Sequence, residues 1–132
     1  MCARRPRTAL GRMPVGLGFV VAALAAAVPA TAAEAGDAAR GQVVYERCEA
    51  CHSPDLDRIG PHHRGVVGRV AGSVKGFDYS PALRKAGFVW TEALLDRWLT
   101  DPQKLVPGNK MGFRLGDPAM RADVIAYLKT LN

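Results

Sequence analysis

Cys48-Glu49-Ala50-Cys51-His52 sets two thiols and an imidazole within one short run, and the architecture turns on what they hold. Cys-x-x-Cys-His is the attachment signature of a c-type haem. The spacing suits the chemistry. Two thiols on one helical turn each add to a vinyl group, and the next imidazole lies under the ring and ligates iron from the proximal side. Three other readings compete. A thioredoxin-like redox pair needs a flanking strand-helix-strand pattern, which the sequence lacks. A zinc site needs ligands in a second cluster, and the other histidines are His62 and His63 alone. A disulfide between Cys48 and Cys51 would close a very small ring. The haem reading is favoured over all three.

Upstream of the motif the charge pattern is uneven. The chain has 132 residues, enough for one domain, and a formal net charge of +6. Arg4, Arg5, Arg7 and Arg12 carry most of that excess; residues 34–132 are close to neutral, at +2. A nucleic-acid binder is therefore not indicated, because the basic signal belongs to the leader. Met13 to Val28 is an uncharged, mostly apolar run, followed by Pro29 and the small residues Ala30-Thr31-Ala32. This order reads as a secretory signal peptide over residues 1–33, cleaved to leave 34–132. The competing reading is a retained anchor. The run is shorter than the about 20 apolar residues a spanning helix needs, which favours cleavage. A mature chain of that size buries little surface unaided, and a cofactor would supply the missing core.

Downstream the pattern is helices and turns. Asp37 to Ala50 reads as a helix capped by Asp37, with Val44, Tyr45 and Cys48 at helical spacing. Pro54, Gly60, Pro61, Gly65, Gly68, Gly72 and Gly76 make 53–76 a loop. Pro81 to Ala86 reads as a short helix between Ser80 and Gly87, and Thr91 caps another that carries Leu94, Leu95, Trp98 and Leu99 before Pro102. Asp117-Pro118 opens a last helix with Val124, Ile125, Leu128 and Leu131 on its inner face. The class is all-α, and so long a loop in a small domain is expected to wrap something.

Iron needs a sixth ligand, and the mature methionines are Met111 and Met120. Met120 falls in the first turn of the last helix, where a thioether is usually core filler. Met111 lies in Val106-Pro107-Gly108-Asn109-Lys110-Met111-Gly112-Phe113, a loop too polar to bury a methionine for packing alone. Methionine opposite histidine closes both axial positions and suits electron transfer.

Residues 37–132 resemble the class I cytochromes c. Asp101 to Met111 is similar to that family's methionine loop, and Arg121 to Lys129 to its C-terminal helix. Gly60-Pro61, Gly65, Gly68-Arg69, Gly76-Phe77-Asp78-Tyr79 and Trp90 match the loop between. The resemblance implies three main helices plus a short helix wrapped around one covalent haem c. It implies that the Pro61 carbonyl accepts from the His52 ring, and that Arg69, Tyr79 and Trp90 bond a propionate. It also implies that Gly41 and Tyr45 cross the last helix near Tyr127, and that cations at Lys104 and Lys110, with Arg114 nearby, surround an exposed haem edge. Two positions depart from the family. Trp98 stands where mitochondrial relatives have a tyrosine reaching the methionine sulfur, and His63 replaces a leucine on the proximal side.

The function implied is a monomeric periplasmic carrier of single electrons between soluble or membrane redox partners, with His52 and Met111 on iron and no catalysis. The other readings are a haem-based ligand sensor or peroxidase-like enzyme with a labile Met111, and a membrane-tethered carrier.

Overall fold

The structure, a computed structural model, describes residues 35–132. The leader assigned to residues 1–33 lies outside them. Among the described residues five helices follow in chain order: α1 Ala38–Tyr45, α2 Pro81–Arg84, α3 Glu92–Thr100, α4 Pro102–Leu105 and α5 Pro118–Thr130. Among the described residues there is no strand, only an isolated bridge between Val70 and Val89.

Each helix starts where a short polar side chain meets its orphan amides. Asp37 accepts from the Arg40 N–H, Ser80 from Leu83, Thr91 from Leu94, Asp101 from Gln103 and Lys104, and Asp117 from Ala119 and Met120. Helix α4 lies within the stretch that resembles the family's methionine loop, and the Asp101-Pro102 pair starts it just as Asp117-Pro118 starts α5. Helix α1 is shorter than its expected reach to Ala50. Beyond Tyr45 the amides of Glu46, Arg47, Cys48, Glu49 and Cys51 bond three residues back, at 2.7–3.3 Å. That tighter winding brings side chains at i and i+3 into line. Cys48 and Cys51 have that spacing, so the winding change turns both thiols to one side.

Helices α1 and α5 cross at Gly41, where a Cβ would run into the Asp123 carbonyl. Tyr45 packs on Tyr127 beside the crossing, ring centroids 5.1 Å apart. The carboxylate of Asp123 accepts from the Asp37 amide at 2.7 Å and from Arg40 Nε at 2.8 Å, which ties the start of α1 to α5. Arg121 joins α5 to α3 through Asp96 at 2.7 Å and bonds the Leu115 and Gly116 carbonyls. The inner faces read from the sequence bury Leu95, Trp98 and Leu99 of α3 and Val124, Ile125 and Leu128 of α5, with Leu131 beyond.

The long loop is ordered by contacts at both ends. The Trp90 N–H donates to the Arg69 carbonyl at 2.9 Å, and the Ala71 N–H to the Phe88 carbonyl at 2.8 Å. Gly72 has φ +71°, and a Cβ there would lie 2.7 Å from the Leu83 carbonyl, so only glycine lets the loop pass α2.

Candidate metal centre

The tight turns after α1 deliver Cys48, Cys51 and His52 to one wall of a cavity of about 330 Å³. Its other walls are Leu95, Trp98 and Leu99 from α3, Val124 and Leu128 from α5, and Pro61, Arg69, Tyr79, Trp90 and Met111 from the loops. Its walls are mostly apolar and open to solvent on one side, which suits a large, largely apolar occupant.

The donors facing it suit haem. A carbonyl only accepts, so the 2.7 Å contact between His52 Nδ1 and the Pro61 oxygen places the ring proton on Nδ1. The Nε2 lone pair is left for a metal. Burial pushes the His52 imidazole below its ordinary value, against the Pro61 bond, which raises it. Gly60 is close by, and a Cβ on it would overlap the His52 ring. Burial also pushes the Cys48 thiol up to about 11, with the charges of Glu49 and Cys51 adding to the effect. The thiol is protonated at neutral pH, so it is a weak nucleophile until activated.

Met111 comes from the segment after α4. Its Sδ accepts from Trp98 Nε1 at 3.1 Å, and its backbone N–H donates to Asn109 Oδ1 at 2.7 Å. Asn109 is buried and donates to the Pro102 and Val106 carbonyls at 2.9 and 2.8 Å. Gln103 closes the turn by donating to the Asn109 and Met111 carbonyls. Met120 packs instead beside Val43 and Val44 of α1, away from His52.

Arg69, Tyr79 and Trp90 all reach the cavity wall. Arg69 spends part of its guanidinium on the Arg64 and His62 carbonyls, at 3.0 and 2.8 Å. Its remaining donors and the Trp90 indole suit a carboxylate on an occupant. Burial raises the Tyr79 hydroxyl, opposed chiefly by a backbone bond from Val74. It therefore remains a neutral donor.

Two contributors escaped the sequence reading: Asn109 and Gln103 hold the methionine turn, and the signal was two amides flanking a Pro-Gly step behind a capping aspartate. His63, expected on the proximal side, stacks its ring on that of His52 with centroids 4.1 Å apart and planes 21° apart. Its Nδ1 meets the Tyr45 hydroxyl at 3.0 Å. Burial, first, and then neighbouring cations lower the His63 imidazole to about 3. Burial raises the Tyr45 hydroxyl. Both groups are neutral across the ordinary pH range.

The family model described as "Cytochrome c" matches residues 38–132. Cytochrome c2 of Rhodomicrobium vannielii is 45% identical over 105 residues, covering 76% of this chain and 84% of that protein. Cytochrome c2 of Rhodopila globiformis is 44% identical over 100 residues, covering 73% and 94%. The structure of cytochrome cH from Methylobacterium extorquens superposes with a TM-score of 0.70 at 46% identity, covering 72% of this chain and 99% of that one.

Proposed function

The chain belongs to the cytochrome c family, as a monohaem electron carrier with one covalent haem c, and on that premise we propose how it holds and uses the group. Cys48 and Cys51 would form the thioethers, His52 and Met111 would ligate the iron, and Arg69, Tyr79 and Trp90 would donate to a propionate. The protein works in the periplasm after removal of residues 1–33. It is a monomer that meets soluble or membrane redox proteins in turn.

The observation that carries this reading is that His52 and the Met111 sulfur edge one apolar cavity while Met120 does not. When bound, the haem iron takes up and gives back one electron. The chain's own residues keep that exchange simple. The Pro61 carbonyl holds the His52 proton on Nδ1, the Trp98 indole and the Asn109 turn hold the sulfur, and the aromatic walls exclude water. Little has to rearrange between oxidation states.

Met111→Ala is expected to remove the sulfur-to-iron charge-transfer band of the ferric spectrum and to admit carbon monoxide to the ferrous protein. Met120→Ala is expected to do neither. Loss of the band in Met120→Ala would reverse the assignment. Cell fractionation with N-terminal sequencing of the purified protein tests the location, and a chain beginning at Met1 in the membrane fraction would contradict it. Among the described residues no helix is long and apolar enough to cross a membrane.

A further inference from the structure

We infer that His63 is a positioning residue for the iron ligand: its ring, pinned by Tyr45, fixes the rotation of the His52 imidazole about the iron–nitrogen axis. The inference rests on His52 being that ligand.

The His52 ring has one directional restraint of its own, the 2.7 Å bond to the Pro61 carbonyl. A single hydrogen bond bends readily, so alone it resists rotation about the iron–nitrogen axis only softly. The face contact with His63, at 4.1 Å and 21°, stiffens that restraint, because rotating His52 would drive its face into the stacked ring. The contact is useful only if His63 itself is held. Its backbone N–H donates to the Ser53 carbonyl at 3.0 Å, and its carbonyl accepts from Val66 at 2.8 Å. Its side chain is held by the Tyr45 hydroxyl at 3.0 Å. Tyr45 is 1% exposed, at the foot of α1 against Tyr127 of α5, so it cannot follow a drifting imidazole.

An aliphatic side chain at position 63 would fill the space without this linkage. Rotamers of a branched alkyl group would give the His52 face a rounded and compressible neighbour, whereas a flat ring on a hydrogen bond gives it a plane. The orientation set in the α1–α5 core thereby reaches the ligand through three aromatic side chains, Tyr45, His63 and His52. In a ferric haem protein the plane of the histidine ligand is one of the influences on how unpaired spin is shared over the ring, so a change in that plane can be read spectroscopically.

The test uses the ferric holoprotein and reads the hyperfine-shifted ring-methyl proton resonances and the EPR g-values, both of which report the ligand plane. His63→Leu and His63→Ala are expected to change the spread and order of the methyl resonances. Tyr45→Phe should move them in the same direction by less. His63→Phe, which keeps a ring on His52 without the hydroxyl bond, should return them toward wild type. His63→Leu preserves volume and carries the test if the alanine variant fails to accumulate. Methyl resonances in His63→Leu and Tyr45→Phe that superimpose on wild type, with only a lowered melting temperature, would make His63 a core filler and overturn the inference. A wild-type spectrum without histidine ligation would instead overturn the ligand assignment itself.

Discussion

Trp98 meets Met111 through one hydrogen bond, 3.1 Å from indole Nε1 to thioether Sδ, and an indole can only donate. The tyrosine that mitochondrial relatives carry there has a hydroxyl able to accept as well. Here the N–H dipole points its positive end at the sulfur in both oxidation states. It therefore opposes the ferric state, which carries the extra positive charge, more than the ferrous one. Trp98→Phe is expected to lower the midpoint potential by up to about 40 mV, equivalent to a net hydrogen bond of about 1 kcal/mol. Redox titration measures it, and an unchanged or higher potential would show that the bond does not bear on iron. Gly60 makes a steric case at the same scale. Its missing side chain leaves room for the His52 ring, whereas Gly116 faces open space. Gly60→Ala should strongly reduce the yield of holoprotein and Gly116→Ala should not, read as haem absorbance per mole of chain. The sequence showed Gly60 only as a turn residue. What a glycine makes room for depends on a neighbour that arrives by folding.

At the scale of elements, the long helices were legible by their period and the short ones by their boundaries, as Ser80 and Gly87 marked α2. Helices α3 and α5 run for 9 and 13 residues, long enough for Leu95, Trp98 and Leu99 or Val124, Ile125 and Leu128 to mark a face. Helix α4 has 4 residues and no period to read, so only its Asp101-Pro102 start betrayed it. The end of α1 was misplaced because one turn at three residues and one at 3.6 look alike in an apolar pattern. The residues proposed as ligands stand out in the sequence for a different reason. Their chemistry is local in the cysteine–histidine motif, and only two methionines competed for the sixth position. The supports of those residues do not, since Asn109 works through bonds to carbonyls of Pro102 and Val106. Asn109→Ala strands those acceptors and the Met111 amide, a loss of about 1–3 kcal/mol. The expected result is a lower melting temperature together with faster carbon monoxide binding to the ferrous protein. A stability loss with ligand binding unchanged would separate the turn from the methionine it carries.

At the scale of the whole molecule, charge decides how an electron partner is met. Residues 34–132 carry +2 before any propionate, so attraction over the whole surface is weak and the cavity rim has to steer. The cations expected there are unevenly available. Lys110 pairs with Asp78 at 2.8 Å, Arg84 shares that carboxylate at 3.1 Å, and Arg114 pairs with Asp101 at 3.1 Å. Lys104 makes no ion pair among the described residues. Ile59 and Phe113 meanwhile line the cavity and are 79% and 39% exposed, so part of the rim is apolar and indifferent to salt. Steering by this face is thus partly cancelled from within, and Asp78 is the group that cancels most, because it holds two cations. Asp78→Asn should release Lys110 and Arg84, speed oxidation by the anionic acceptor hexacyanoferrate(III) and slow oxidation by the cationic acceptor tris(1,10-phenanthroline)cobalt(III). Lys104→Glu should do the reverse with both reagents. Stopped-flow rates across ionic strength measure this, and the differences should shrink as the screening length falls from about 10 Å at 0.1 M to about 3 Å at 1 M. Variant rates that match wild type with both reagents at low salt would place the exposed edge away from Asp78 and Lys104, and with it the docking face.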